Sequence, residues 1–413
     1  MPSTGEAGAP LHSPPVRALV FRHNLAREAA AKVVGTIDQR GFVGPYAPVR
    51  LEEIDEPTSP GPGWVVCDTI VSGLCGSDTK QIVLNGSRDN PLTALLSFPH
   101  VLGHEAVAVR RDTGERVVLN PWLSCGPRGI DPPCLACAEG RYPSCRNFTR
   151  GVVPPALHIG NCAGASGAHA ETFVAHEGQL FPVPDAVDDE AAVLADPVSV
   201  SLRTLLLAPP PGDERPVLVY GSGTLALAAV ALVRHLWPET EVWAVTRPGP
   251  RAELVLRLGA SAVLPSDSEA LVEAVAELRG VQTLVPWSGK AWLQDGPSVV
   301  YDTIGSVETV EASLRILDTG GTLVVSGVEP PGRFEWTPIY FKELRVVGSN
   351  AFGIEEVRGV RRHAFEHYFE WLSEGLDLTQ LVTHRFRLDE WDEAVLTATQ
   401  ARVTGAVKVL LRP

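Results

Sequence analysis

The run Val217-Leu-Val-Tyr220-Gly221-Ser-Gly223-Thr-Leu-Ala226 limits the folds open to this chain more than any other feature. An apolar strand breaks at glycine and leads directly into a helix, predicted over Thr224 to Leu236. The first glycine makes the tight turn and the second lets the backbone approach a pyrophosphate. Ala226 stands where only a small residue lets helix pack on strand. The helix N-terminus adds oriented N–H groups, so Gly221, Gly223, Thr224 and Leu225 form a candidate dinucleotide cradle. The competing reading is a glycine turn that binds nothing.

Strand and helix alternate through the stretch that follows, as a parallel, doubly wound α/β sheet requires. Strands are predicted at Val217 to Tyr220, Val242 to Val245, Val299 to Asp302, Thr322 to Ser326 and Leu344 to Val347. Helices are predicted at Glu269 to Leu278 and Val307 to Leu317, with a last one over Glu355 to Glu374. Ser326 closes its strand and joins the candidate cofactor residues. Thr246 and Arg247 follow the second strand, where an acidic residue would hold the ribose of NAD. With Arg251 close by, that end favours a 2′-phosphate and so NADP over NAD. The alternative is that both arginines are merely solvated.

Seven cysteines in 413 residues are an odd number in a long chain, which disfavours a disulfide framework. Cys125, Cys134, Cys137 and Cys145 fall in one loop-like stretch rich in Pro and Gly, a soft set suited to tetrahedral structural zinc; free buried thiols are the competing reading. A second group is dispersed: Cys75, His104, Glu105 and Asp196. One thiolate, one imidazole and carboxylates suit a catalytic zinc that keeps a position open for substrate.

The formal net charge of -14 and the lack of a basic stripe exclude a nucleic-acid partner. The longest apolar stretch, Leu225 to Val233, is too short to span a bilayer and reads as a buried helix. Met1 to Pro15 carries no signal-peptide pattern, so a cytoplasmic location is expected.

These motifs resemble the zinc-containing medium-chain alcohol dehydrogenases, from about Arg17 to Pro413. The resemblance rests on Gly73-Leu-Cys-Gly-Ser-Asp78, Gly103-His-Glu105, the four-cysteine lobe, the glycine turn, Asp302-Thr-Ile-Gly305, Gly320-Gly321, Leu381-Val-Thr-His-Arg-Phe386 and Val407-Lys-Val-Leu410. The polyol and threonine dehydrogenase branch is nearest, because an acidic residue before proline, Asp196, replaces a last cysteine ligand.

The resemblance implies a mostly-β, GroES-like catalytic domain over residues 1–195 with a zinc lobe at 120–150. A Rossmann domain would follow over 196–349, with a return to the catalytic domain over 350–413. It further implies that Cys75, His104 and Asp196 bind catalytic zinc, with Glu105 a ligand or exchangeable near-ligand. Ser77 would take the substrate proton, and Asp78 would orient the zinc-bound histidine. The expected activity is hydride transfer between a secondary alcohol, polyol-like in the nearest branch, or its ketone and NAD(P). A homodimer or homotetramer is expected. The alternatives are a cofactor-retaining epimerase or lyase on the same fold, and a non-catalytic zinc- and nucleotide-binding protein.

Three features depart from the family pattern. Lys80 stands where many members have histidine at the outer end of the proton relay. Eight residues separate Cys125 from Cys134 where the family usually has two. The segment from Arg22 to Tyr46 is longer than the usual hairpin and includes a short helix predicted over Leu25 to Val34, placed to cover part of the cleft.

Overall fold

The computed structural model describes residues 14–87 and 89–413, so the reading of the N-terminus lies, as far as residue 13, outside the described residues. The first half contains β1 (Val16–Phe21), β2 (Val49–Ile54), β3 (Trp64–Leu74), β4 (His100–Val101), β5 (Glu105–Arg110), β6 (Arg116–Leu119), β7 (Thr172–His176) and β8 (Leu180–Pro182). Six strands follow: β9 (Val217–Tyr220), β10 (Val242–Val245), β11 (Ala262–Leu264), β12 (Val299–Asp302), β13 (Thr322–Val325) and β14 (Arg345–Gly348). The chain ends with β15 (Ile354–Val357), β16 (Val360–His363), β17 (Val382–Arg387) and β18 (Lys408–Arg412).

The six middle strands form one sheet in the order β11-β10-β9-β12-β13-β14, with every pair parallel. Strands β9, β10 and β12 are wholly buried, because crossover helices cover both faces of such a sheet. The order reverses direction at β9, which opens a crevice between the carboxyl ends of β9 and β12. The predicted helix Thr224–Leu236 is present with the same bounds and packs almost entirely inside.

A mostly antiparallel seven-stranded sheet holds the other half, in the order β17-β18-β3-β5-β6-β8 with β7 also on β3. The C-terminal strand β18 pairs with β3, so the end of the chain completes the sheet begun by its first half. Among the described residues no helix is long and apolar enough to cross a membrane.

The helix predicted over Glu355 to Glu374 is a correction. Its first half is the hairpin β15–β16, and only Ala364–Ser373 is helical. The turn residues Arg358 and Gly359 both have positive φ, 51° and 80°, the backbone of a two-residue hairpin turn whose twist matches its strands. Val357 and Val360, three positions apart, have a spacing that suits a helix as well as the two ends of this turn.

The two lengthened segments of the first half are built into the packing. In the insertion between Cys125 and Cys134, Arg128 is fully buried and donates to the carbonyls of Leu123, Arg150, Val153, Pro154 and Ala156. One guanidinium thus satisfies a loop that would otherwise bury bare carbonyls. The extra helix runs over Leu25–Ile37 and seats Gly35 against the ring of Phe42, where a Cβ would lie 2.5 Å from it. Its Lys32 donates to the carbonyl of Leu84 at 3.0 Å, beside the turn that follows the Lys80 helix.

Candidate functional site

Strand β3 ends at Leu74, and the helix Gly76–Ile82 begins immediately after Cys75. This junction brings Cys75, Ser77, Asp78 and Lys80 to one edge of the sheet. His104 and Glu105 lie at the start of β5, which pairs with β3 so that Glu105 faces Gly73. Cys75, His104 and Glu105 thereby offer ligand atoms all within 4.8 Å of one another. Asp196, expected as a ligand beside Cys75 and His104 with Glu105 as a ligand or near-ligand, lies outside that group. It is buried at the start of the helix Ala195–Leu207, where burial and then the charge of Glu105 push its carboxyl up to about 7.

Asp78 is fully buried beneath the group. Its carboxylate accepts the Cys75 N–H at 3.0 Å and lies 3.4 Å from both His104 Nδ1 and His169 Nε2. The burial of Asp78 works against its charge, but the two imidazoles outweigh it and hold the carboxyl well below the usual range. Burial likewise opposes charge on His104, and Asp78 with Cys75 overcomes it. The surroundings of His104 therefore favour a cation, and a thiol, imidazole and carboxylate within one coordination radius are a donor set that fits zinc. Ser77 is exposed, with its hydroxyl 3.5 Å from His104 Nε2.

Several residues here escaped the sequence reading. His158 packs against His104 with tilted rings, centroids 4.5 Å apart, and burial with His104 pushes it down to about 3. His169 is fixed by Ser72 at 2.8 Å. Lys408 on β18 pairs with Glu105; burial opposes its charge, yet Glu105 and the acidic groups around it raise its pKa. Gly73 clears the space, since a Cβ there would meet Glu105 Oε2 at 2.3 Å. The signal for Lys408 was a charged residue inside an apolar strand, while His158 and His169 sit in loops with no motif.

The other predicted group is assembled in full: Cys125, Cys134, Cys137 and Cys145 bring four sulfurs within 4.8 Å. Backbone N–H groups of Cys134, Arg146 and Asn147 donate to sulfurs of the cluster at 3.3–3.5 Å, and the Asn147 amide donates to Cys125 at 3.2 Å. Such donors stabilise thiolates; burial opposes this at Cys134, yet they bring its thiol down to about 6. This set also fits zinc, with all four positions filled by protein.

At the glycine turn, Gly221 has φ of 127° and touches Thr303, and a Cβ on Gly223 would meet nothing within 4 Å. Open space thus lies in front of a thirteen-residue helix N-terminus, as a pyrophosphate needs. Thr224 donates to Val407 at 3.2 Å, and Leu225 is half-buried beside it. Ser326 follows β13, two strands over from the glycine turn, and donates its N–H to Asp302 at 2.9 Å. Thr246 is buried and Arg247 exposed. Arg251 donates to Ala406, while its Nε is buried without a partner, and burial lowers its pKa.

Lys80 lies across the cleft from the β13 loop. Its ammonium pairs with Glu329 at 2.9 Å and donates to the Val328 carbonyl.

Comparison with known proteins agrees with this geometry. Residues 61–185 match the alcohol dehydrogenase GroES-like domain, and residues 224–372 match the zinc-binding dehydrogenase family. The chain is 26% identical to an L-threonine 3-dehydrogenase of Pectobacterium atrosepticum over 336 residues, 78% of this chain and 80% of the relative. A zinc-binding dehydrogenase from Sinorhizobium meliloti, solved bound to NADP, superposes with a TM-score of 0.66 at 25% identity, covering 97% of this chain and all of that one (100%). An alcohol dehydrogenase from Escherichia coli, solved with NADH, shares the fold with a TM-score of 0.71 at 21% identity, covering 97% and 100%. With its two halves matching the two modules of one family, the chain belongs to the zinc-dependent medium-chain alcohol dehydrogenases and is a nicotinamide-dependent oxidoreductase.

Proposed function

We propose that the protein interconverts a secondary alcohol and its ketone, with Cys75, His104 and Glu105 holding the catalytic zinc and Asp196 the carboxylate within reach of it. The observation that carries this is the exposed Ser77 hydroxyl beside the group of half-buried Cys75 with buried His104 and Glu105. When bound, the metal supplies a Lewis acid that makes the alcohol more acidic, and the nicotinamide supplies the hydride acceptor.

The protein's own residues do the rest. Asp78 holds the proton of His104 on Nδ1, which leaves Nε2 its lone pair. Ser77 takes the hydroxyl proton of the substrate and passes it outward, with Lys80 at the outer end of the path. His158, buried against His104, and Trp122, buried against His158, keep water from the reacting face. The cradle of Gly221, Gly223, Thr224, Leu225 and Ser326 positions the dinucleotide, and Thr246, Arg247 and Arg251 select NADP. Cys125, Cys134, Cys137 and Cys145 hold a structural zinc.

In this reading the described residues up to 195, together with 350–413, form the catalytic domain and 196–349 the cofactor domain. The sheet edge at β14, with Val346, Tyr340 and Phe341 exposed around it, supports assembly with a second copy.

The test is a screen of alcohols and ketones by nicotinamide absorbance with each cofactor. Zinc-replete protein that turns over none of them, polyols and hydroxy amino acids included, overturns the reading.

A further inference from the structure

Glu329 contacts the catalytic half at two points. One carboxylate oxygen pairs with Lys80 at 2.9 Å, and the other accepts from the Asn85 amide at 3.2 Å. Lys80 and Asn85 belong to one tight unit, since the Asn85 N–H donates to the Lys80 carbonyl at 2.8 Å. Between them Leu84 has φ of 53°, a left-handed backbone that a leucine rarely adopts, and Lys32 of the extra helix braces its carbonyl at 3.0 Å. Strained backbone persists where the surroundings impose it.

The other side of the contact is equally fixed at its base. Ser326 and Gly327 both donate to Asp302, and a Cβ on Gly327 would lie 2.3 Å from the Ile304 carbonyl oxygen. That strand end in turn touches the dinucleotide turn, because Gly221 abuts Thr303 and Ile304. The loop of Val328 and Glu329 therefore rises from a rigid base beside the cradle and reaches across the cleft to the helix that carries Ser77.

We propose that Glu329 is a positioning residue that clasps Lys80 and Asn85 across the cleft and slows release of the bound dinucleotide. The proposal rests on the cofactor assignment above. The Val328 carbonyl accepts from the same Lys80 ammonium, so the loop grips the helix end through two neighbouring residues. Because the pair is partly solvent-exposed, salt weakens it.

The test is stopped-flow displacement of bound NADPH or NADH from wild type, Glu329→Ala, Glu329→Gln, Asn85→Ala and the double variant Glu329→Ala with Asn85→Ala. Release should accelerate about threefold to tenfold in Glu329→Ala, the range for one half-exposed ion pair and one hydrogen bond. Glu329→Gln, which keeps the hydrogen bond, should fall between, and Asn85→Ala should add nothing once Glu329 is removed. Wild-type release should quicken with salt more steeply than that of Glu329→Ala, while single-turnover hydride transfer at saturating cofactor stays the same. Unchanged release in Glu329→Ala overturns the clasp alone, as does slowed hydride transfer at unchanged release. Failure of wild type to bind either dinucleotide overturns the clasp together with the assigned function.

Discussion

Lys408 and Glu105 form a buried ion pair although 303 positions separate them in the chain. Their side chains are 3% and 1% exposed, so neither charge has water to fall back on. The pair ties the last strand of the protein to a candidate metal ligand. In metal-free protein Lys408→Met leaves the Glu105 carboxylate without its cation, and the expected loss of stability is roughly 3–5 kcal/mol. Adding Glu105→Gln should recover most of it. Thermal unfolding of the three variants checks this, and a wild-type midpoint for Lys408→Met would show that the pair contributes nothing.

Elemental analysis of purified protein should find two zinc ions per chain. Cys137→Ser should lose one of them and lower the unfolding midpoint, because the lobe has little apolar core of its own. Cys75→Ser should lose the other and abolish turnover with the midpoint nearly kept. Two zinc ions retained in either variant would contradict that assignment.

Ser77→Ala should cut kcat by about a hundredfold to ten-thousandfold, the usual contribution of a positioned proton acceptor. Zinc content and cofactor affinity should stay near wild type, since the serine is neither ligand nor cradle. Turnover at the wild-type rate across neutral pH would remove Ser77 from the proton path.

Cofactor choice should follow the arginines at the end of β10. The unpartnered Nε of Arg251 is a buried donor without an acceptor, and Arg247 stands exposed beside it. A charge-assisted contact of roughly 1.5–3 kcal/mol gives NADP about a tenfold to hundredfold preference. Arg247→Ala should erase most of it and leave NAD affinity unchanged. Titration of both cofactors at fixed ionic strength decides; equal weakening of both would place the arginine elsewhere.

What could be read from the order of residues was whatever depends on neighbours close in the chain. The glycine turn is local backbone geometry, so Gly221 and Gly223 were legible, and the strands β9, β10 and β12 were legible as apolar runs. The short spacing of Cys134 and Cys137 marked the lobe, and Gly73 to Asp78 marked the junction that carries Cys75 and Ser77. Only tertiary structure decided that Glu105, rather than Asp196, joins the Cys75 and His104 group, and that Lys408 neutralises it. It also decided that Arg128 turns an insertion inward, that Val357 and Val360 flank a hairpin turn, and that Lys80 meets Glu329. Each of these depends on which groups share a buried, low-dielectric space. There a charge or bare carbonyl must find its partner wherever the fold delivers one, and chain separation carries no information about that.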